Sequence, residues 1–198
     1  MKTRKEKFLL ALKDKGISFG KSENKVARVL ITEKCNRNCS YCVNNYDAIQ
    51  KQMKPLDNIE ELYEYDEVCI TGGEPTLVID DVLAFIARIR DKVKTIYLYT
   101  AQWNPRLAEV VKLVDGIHYT LHENAVAYDI NGFLNFQDMV AKYPEKSFRL
   151  GISPDVEIPV SIFPNRWKRV EVRTWLSESD DCICVGETLF RMTESCLL

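Results

Sequence analysis

The sequence predicts an α/β protein with a parallel β-sheet that is either open or curled into a barrel. Short β-branched segments alternate along the chain with segments whose apolar residues recur at helical spacing. Successive strands start roughly 20–40 residues apart, which leaves room for a right-handed crossover each time. In either arrangement, the loops beyond the carboxyl ends of the strands carry the chemistry.

Six segments are predicted to be strands because they are short and rich in β-branched or aromatic residues. They are residues 26–31, 67–71, 95–100, 116–121, 147–153 and 169–175. Between the last two, residues 154–168 contain three prolines and no helical pattern, so we expect an irregular crossover there.

Helices are predicted between these strands from capping residues and apolar spacing. Asp57 precedes the first helix and Asp80 the second, and each carboxylate can accept a hydrogen bond from a helix N-terminus. Asn104 followed by Pro105 predicts the start of the third helix. A weaker pattern predicts a fourth helix near 132–142.

Length and composition favour one globular domain. The chain has 198 residues, of which 46% are hydrophobic and 28% charged, so disordered and fibrous classes are excluded. Its net charge of −2 predicts no general nucleic-acid binding, and no apolar run approaches a membrane span. The N-terminus lacks a signal-peptide pattern, so we expect a cytoplasmic protein. We expect an N-terminal helical extension over 1–25, a core over 26–175 and a C-terminal tail over 176–198 packed on that core.

Three cysteines follow the first predicted strand, in Cys35-Asn-Arg-Asn-Cys39-Ser-Tyr-Cys42. Cysteines of a cytoplasmic chain point to metal binding or catalysis rather than to disulfides. A closed zinc site and an iron–sulfur cube both normally take four protein ligands. Three thiolates would therefore leave one iron of a cube open to another ligand. A zinc site completed by a distant residue such as His118, or three unrelated thiols, are the alternatives.

A glycine pair ends the second predicted strand, in Thr71-Gly72-Gly73-Glu74-Pro-Thr76. Paired glycines permit positive φ and let bare backbone approach a ligand closely. Glu74 adds a carboxylate that could meet an ammonium group, although a simple strand-terminating turn is the alternative. Because the first two strands are expected to be neighbours, this turn should lie beside the cysteines.

Together, the two motifs resemble those of the radical S-adenosylmethionine (radical SAM) superfamily. The similarity is close over 26–77 and looser to about residue 175. It implies a partial (β/α)6 barrel and an enzyme that holds a [4Fe–4S] cluster on Cys35, Cys39 and Cys42. S-adenosylmethionine would bind the open iron and be cleaved reductively to a 5′-deoxyadenosyl radical, which abstracts hydrogen from the substrate.

The resemblance also implies contacts to the bound cofactor. Tyr41 would lie against the adenine, and the ammonium group of the methionine would be held by Gly72, Gly73 and Glu74. Because the two motifs lie on different loops, a change at Gly73 is expected to leave the cluster intact. Polar residues at later strand ends are candidates for further contacts, and each is equally explained as an ordinary loop residue: Thr100, Gln102, His122, Glu123 and Ser153.

The sequence offers weaker candidates outside the two motifs. Arg173 and Trp175 could reach a substrate from the last predicted strand. Cys69 alternates within an apolar strand and is predicted to be a buried small hydrophobe. Three further cysteines are expected to be free thiols, with a second cluster as the alternative: Cys182, Cys184 and Cys196.

Two functions are compatible with the resemblance. The first is an enzyme acting on a small-molecule or nucleotide-type substrate, with an electron donor such as flavodoxin or ferredoxin. The second is an activating protein that installs a glycyl radical on a protein partner such as anaerobic ribonucleotide reductase. The length of this chain fits such an activating protein. The glycine-rich segment and the Gly-Cys pair before the cluster motif that are associated with those activases are absent from this sequence. A non-enzymatic zinc- or cluster-binding module would leave the glycine turn without a task.

Overall fold

A computed structural model describes residues 25–157, 162, 166–172, 186–193 and 196. Nearly all of the predicted extension over 1–25 lies outside the described residues. The same holds for parts of the predicted crossover over 154–168 and for four residues that the sequence singles out: Arg173, Trp175, Cys182 and Cys184.

The described chain forms one open, eight-stranded sheet in which all paired strands are parallel. The strands are β1 (Val26–Leu30), β2 (Lys54–Leu56), β3 (Glu67–Thr71), β4 (Thr95–Thr100), β5 (Gly116–Leu121), β6 (Ser147–Ile152), β7 (Arg169–Val172) and β8 (Glu187–Met192). Their order across the sheet is β2-β8-β1-β3-β4-β5-β6-β7. The predicted α/β class with a parallel, partly barrel-like sheet is confirmed, and the six predicted strands stand in their predicted order.

Two strands were not predicted, and both lie on the β1 side of the sheet. β2 is three residues long and contains Pro55, which cannot donate to a ladder and is tolerated at a sheet edge. β8 comes from the segment expected to be a tail packed on the core, and it instead forms a ladder inside the sheet between β2 and β1. Arg28 of β1 and Glu187 of β8 form an ion pair at 2.6 Å across this pairing.

Four α-helices connect or flank the strands in the described residues. They are α1 (Asp47–Gln50), α2 (Ile79–Ile89), α3 (Leu107–Leu113) and α4 (Ala127–Lys142), with 3-10 turns at Val43–Asn45, Ile59–Glu64 and Pro75–Val78. None of the helices in this described part has the length and apolar character of a membrane span.

The predicted cap at Asp57 is wrong. The segment that follows is a 3-10 turn rather than an α-helix, and its first turn is capped by Asn58, whose Oδ1 accepts from the backbone N–H of Glu60 at 3.0 Å. Asp57 and Asn58 are both good capping types, and only the path of the backbone decides between neighbours.

The predicted cap at Asp80 is also wrong, because α2 begins one residue earlier and Asp80 lies in its first turn. There its carboxylate still faces the positive end of the helix dipole. The predicted helix start at Asn104-Pro105 is wrong as well, because α3 begins at Leu107 and its cap position is Arg106. Asn104 instead stabilises the turn before the helix, where its Oδ1 accepts from the backbone N–H of Arg106 at 2.9 Å.

The apolar core lies between the helices and one face of the sheet. Strand residues of this face alternate with those of the other face, as the period of a strand requires. The core combines buried residues from the strands and from α2, α3 and α4: Ala27, Val29, Val68, Ile70, Val82, Phe85, Ile86, Ile96, Leu98, Val110, Val111, Ile117, Phe133, Phe136, Phe148 and Leu150. Cys69 lies on the opposite face and is buried, as predicted.

Candidate active site

The two sequence motifs meet at the carboxyl ends of β1 and β3. These strands pair in parallel, so the cysteine loop (residues 32–46) and the glycine turn (Gly72–Glu74) leave the sheet side by side. The N–H of Gly73 donates to the carbonyl of Thr32 at 2.7 Å, and the N–H of Glu74 donates to the carbonyl of Lys34 at 2.8 Å. The backbone of the turn therefore binds the first residues of the loop that carries the cysteines.

Close packing, and not positive φ, explains the glycines of this turn. Among the described glycines only Gly186 has positive φ, so the expected left-handed conformation at the turn is wrong. A Cβ on Gly73 would lie 2.2 Å from the carbonyl oxygen of Lys34, and one on Gly72 would lie 2.7 Å from that of Thr32. Glycine is required because two backbone segments touch here.

The Glu74 carboxylate ties the glycine turn to the end of β4. It is 2% exposed. Its Oε1 accepts from the N–H of Thr76 at 3.0 Å, from the hydroxyl of Thr76 at 2.8 Å and from the hydroxyl of Thr100 at 2.6 Å. Its Oε2 accepts from the N–H of Ala101 at 2.9 Å, so lone-pair capacity for another donor is concentrated on Oε2. Thr100 supports this carboxylate by donating the hydrogen bond of its hydroxyl group to Oε1 of Glu74.

Polar side chains fasten the cysteine loop to the ends of β4 and α4. The amide of Asn36 donates to Oε1 of Gln102 at 3.1 Å, and Gln102 donates back to Asn36. Arg37 donates through Nη1 to Oδ1 of Asp129 at 2.5 Å, and these side chains are 15% and 8% exposed. Removing either partner of such a buried pair leaves an uncompensated charge. Arg37 thus anchors the loop to the first turn of α4.

The loop is also fastened to the end of β5. Oε1 of Glu123 accepts from the N–H of Ser40 at 3.2 Å and from its hydroxyl at 2.5 Å. The N–H of Glu123 donates to the hydroxyl of Tyr41 at 3.0 Å, and this hydroxyl lies 2.8 Å from Nδ1 of His122. Burial lowers the pKa of His122 to about 4, so its ring is neutral near pH 7 and can accept the Tyr41 proton at Nδ1.

We expect His122 to make the folded chain less stable as the pH falls below neutrality. An unfolded histidine titrates near 6.5, so between about 6.5 and 4 the unfolded state binds more protons than the folded state. Lowering the pH from 7 to 5.5 should therefore reduce the free energy of unfolding by up to about 1 kcal/mol through this group. Urea unfolding of the parent and of His122→Gln at both pH values measures the difference. Identical pH dependence in the two proteins would contradict the assignment.

The three loop thiols suit a soft metal group. Cys35 is exposed, Cys39 and Cys42 are half-buried, and none of them forms a disulfide. Burial raises the pKa of the Cys39 thiol, while the Arg37 guanidinium opposes that rise. The described residues contain no group of three His, Cys, Asp or Glu side chains arranged for a metal ion, and none that joins His118 to these thiols.

A buried donor beside the thiols also fits a sulfur-rich ligand. Arg37 Nε is buried and has no hydrogen-bond partner among the described residues, while its Nη1 is held by Asp129. Thiolate and sulfide sulfurs of an iron–sulfur group accept such hydrogen bonds, which tune the group's potential. The residues present therefore fit an iron–sulfur cluster on this loop.

Of the remaining candidates, some have structural contacts and the others lie outside the described residues. Ser153 is buried, and its N–H donates to the carbonyl of Leu121 at 2.9 Å, just beyond the end of β6. Cys196 is buried and its Sγ donates to the carbonyl of Leu56 at 3.1 Å, which is a packing role. Sequence reasoning missed Arg37 and Asp129, because their pairing joins residues 92 apart and leaves no local pattern.

Comparison with known proteins assigns the family. The model of the Radical SAM superfamily matches residues 29–155, which is more than half of the chain. A GTP 3′,8-cyclase from Alkaliphilus oremlandii (strain OhILAs) is 35% identical over 97 residues, which cover 43% of this chain and 30% of that protein. The chain thus matches less than a third of that relative's length. With both motifs joined at one edge of a parallel sheet and the family model spanning this core, the chain belongs to the radical SAM superfamily of enzymes.

Proposed function

We propose that this chain holds a [4Fe–4S] cluster on Cys35, Cys39 and Cys42 and binds S-adenosylmethionine between the cysteine loop and the glycine turn. The observation that carries the proposal is the pair of backbone hydrogen bonds, 2.7 and 2.8 Å long, that joins the turn to residues 32 and 34. When bound and reduced, the cluster would supply one electron to S-adenosylmethionine, whose sulfonium C–S bond would break to give methionine and a 5′-deoxyadenosyl radical that removes a hydrogen atom from the substrate.

The chain's own residues would position and enclose the cofactor. Gly72 and Gly73 present backbone at the turn, and Oε2 of Glu74 has capacity for a donor such as an ammonium group. Tyr41 would lie against the adenine through its backbone, because its hydroxyl is engaged with the end of β5. His122 and Ser153 lie at the same edge of the sheet and are proposed as further contacts.

We propose a small-molecule or nucleotide-type substrate and a flavodoxin- or ferredoxin-like electron donor. The similar protein from Alkaliphilus oremlandii acts, by its name, on GTP, which supports a nucleotide-type substrate without identifying one. The sheet that the described strands form is open, and in open parallel sheets ligands bind beyond the carboxyl ends of the strands.

Anaerobic reconstitution with iron and sulfide tests this proposal. We expect about four irons per chain with brown absorbance near 400 nm, as for a single cube. Reduction with dithionite in the presence of S-adenosylmethionine should then release methionine and 5′-deoxyadenosine. A colourless protein that contains zinc and releases neither product would overturn the proposal.

A further inference from the structure

The sheet face opposite the helices carries a cluster of cations and aromatic rings, which we call the inner-face cluster: Arg28, Tyr97, Tyr99, His118 and Arg149. The guanidinium of Arg28 lies 4.6 Å from the Tyr99 ring, and Tyr99 stacks on His118 at 4.8 Å with 7° between the planes. Arg149 lies 4.0 Å from the Tyr97 ring. Parallel sheets normally bury apolar residues on both faces, so the polar and charged residues of this face indicate a role other than core packing.

A missing side chain on β5 makes the Tyr97–Arg149 contact possible. Gly116 pairs with Tyr97 on one side and with Ser147 of β6 on the other. A Cβ on Gly116 would lie 2.4 Å from Cε1 of Tyr97, so the tyrosine ring occupies the space above the glycine. The ring thereby crosses towards β6, where the Arg149 side chain reaches it.

The two arginines of the cluster differ in their charge partners. Arg28 donates through Nε and Nη2 to the two carboxylate oxygens of Glu187, at 2.6 and 3.1 Å. Arg149 is half-buried and has no carboxylate within ion-pair distance among the residues that the structure describes. Glu67 lies on the same face, but its Oε1 accepts from the Sγ of Cys69 at 3.4 Å. A contact with Tyr97 leaves most of the five guanidinium donors of Arg149 without an ion-pair acceptor among the described residues, although the Glu67 carboxylate on the same face attracts its charge.

The distance of Arg149 from the glycine turn limits the kind of molecule that could provide that acceptor. Arg149 is in register with His118 and Tyr99, and so with Thr71 and Leu30 at the ends of β3 and β1. It is three strands away from β3, which is about 14 Å across the sheet at about 4.8 Å per strand. A ligand that reaches Arg149 and also extends to the glycine turn is therefore an elongated small molecule with one anionic end.

We propose that Arg149 binds the anionic end, a phosphoryl or carboxylate group, of the substrate of this enzyme. The inference rests on the proposed function for the position at which the substrate reacts. Anion binding at Arg149 itself can be measured without the reaction. It favours a small substrate over the glycine backbone of a partner enzyme, which has no anionic group to place beside Arg149. Arg149 is thus assigned as a residue that selects the substrate by its charge.

The test is the binding of two probe anions, inorganic pyrophosphate and succinate, by isothermal titration at low salt. We expect the parent protein to bind one of them at least tenfold more tightly than Arg149→Gln does, since the variant removes the charge and most donors. The preferred probe distinguishes phosphoryl from carboxylate recognition. Arg149→Lys, which keeps the charge, should bind more tightly than Arg149→Gln, and thermal melting of both variants checks that they are folded.

Arg106→Gln is the matched control. Arg106 is a half-buried arginine that pairs with Asp80 and Glu109, and its loss should leave the binding of the probe unchanged. Failure of the parent to bind either anion, equal affinity in the parent and in folded Arg149→Gln, or an equal loss in Arg106→Gln would each overturn the inference. Failure of the proposed function would appear separately, as absence of S-adenosylmethionine cleavage by the parent protein.

Discussion

Replacing Cys35, Cys39 or Cys42 with alanine should abolish both the iron content and S-adenosylmethionine cleavage in each single variant. Three thiolates are needed to hold a cube that keeps one iron open, so the loss of any one of them leaves too few protein ligands for the cluster. Iron and sulfide per chain, measured after identical anaerobic reconstitution, check this result together with the absorbance near 400 nm.

Cys196→Ala is the control for these variants. Its thiol is buried against the carbonyl of Leu56, so the variant should keep the full iron content of the parent. Four irons per chain in any of the loop variants would contradict the assignment of the ligands. Loss of part of the iron in Cys196→Ala would indicate a second cluster near the C-terminus.

Gly73→Ala should lose the cluster as well as S-adenosylmethionine binding. The sequence suggested that a change at Gly73 would spare the cluster, because the two motifs lie on different loops. In the structure a Cβ on Gly73 would lie 2.2 Å from the carbonyl oxygen of Lys34, the residue directly before Cys35. The added methyl group must displace this backbone and the first cysteine with it, at a cost of about 1–3 kcal/mol or more.

Iron content and isothermal titration of S-adenosylmethionine measure the two losses in the same preparation. Gly132→Ala in α4 provides the control, because its Cβ would lie 3.0 Å from Cβ of Trp103, a contact that a shift of a few tenths of an ångström relieves. That variant should keep its iron within error. Unchanged iron and unchanged affinity in Gly73→Ala would show that the loop and the turn are not coupled as their contact indicates.

Much of the fold was predictable because strand patterns are local. β1, β3, β4, β5 and β6 are each a short run rich in β-branched or aromatic residues, a pattern that needs only neighbours in sequence to be recognised. β2 and β8 were not predicted because they pair with each other across a long sequence separation, as in Lys54 opposite Phe190. A short strand that contains a proline has no local signal, and it is stabilised only by its partner in the sheet.

The placement of the cysteine loop beside the glycine turn followed from parallel strand order alone, since the carboxyl ends of neighbouring parallel strands share an edge. The reason for the glycines did not follow, because a close approach between Gly73 and Lys34 depends on distances that a linear pattern does not contain. The same applies to the four hydrogen bonds of Glu74 and to the pairing of Arg37 with Asp129. Periodicity specifies which elements form and in what order, whereas the partners of a buried polar group are set by how those elements pack.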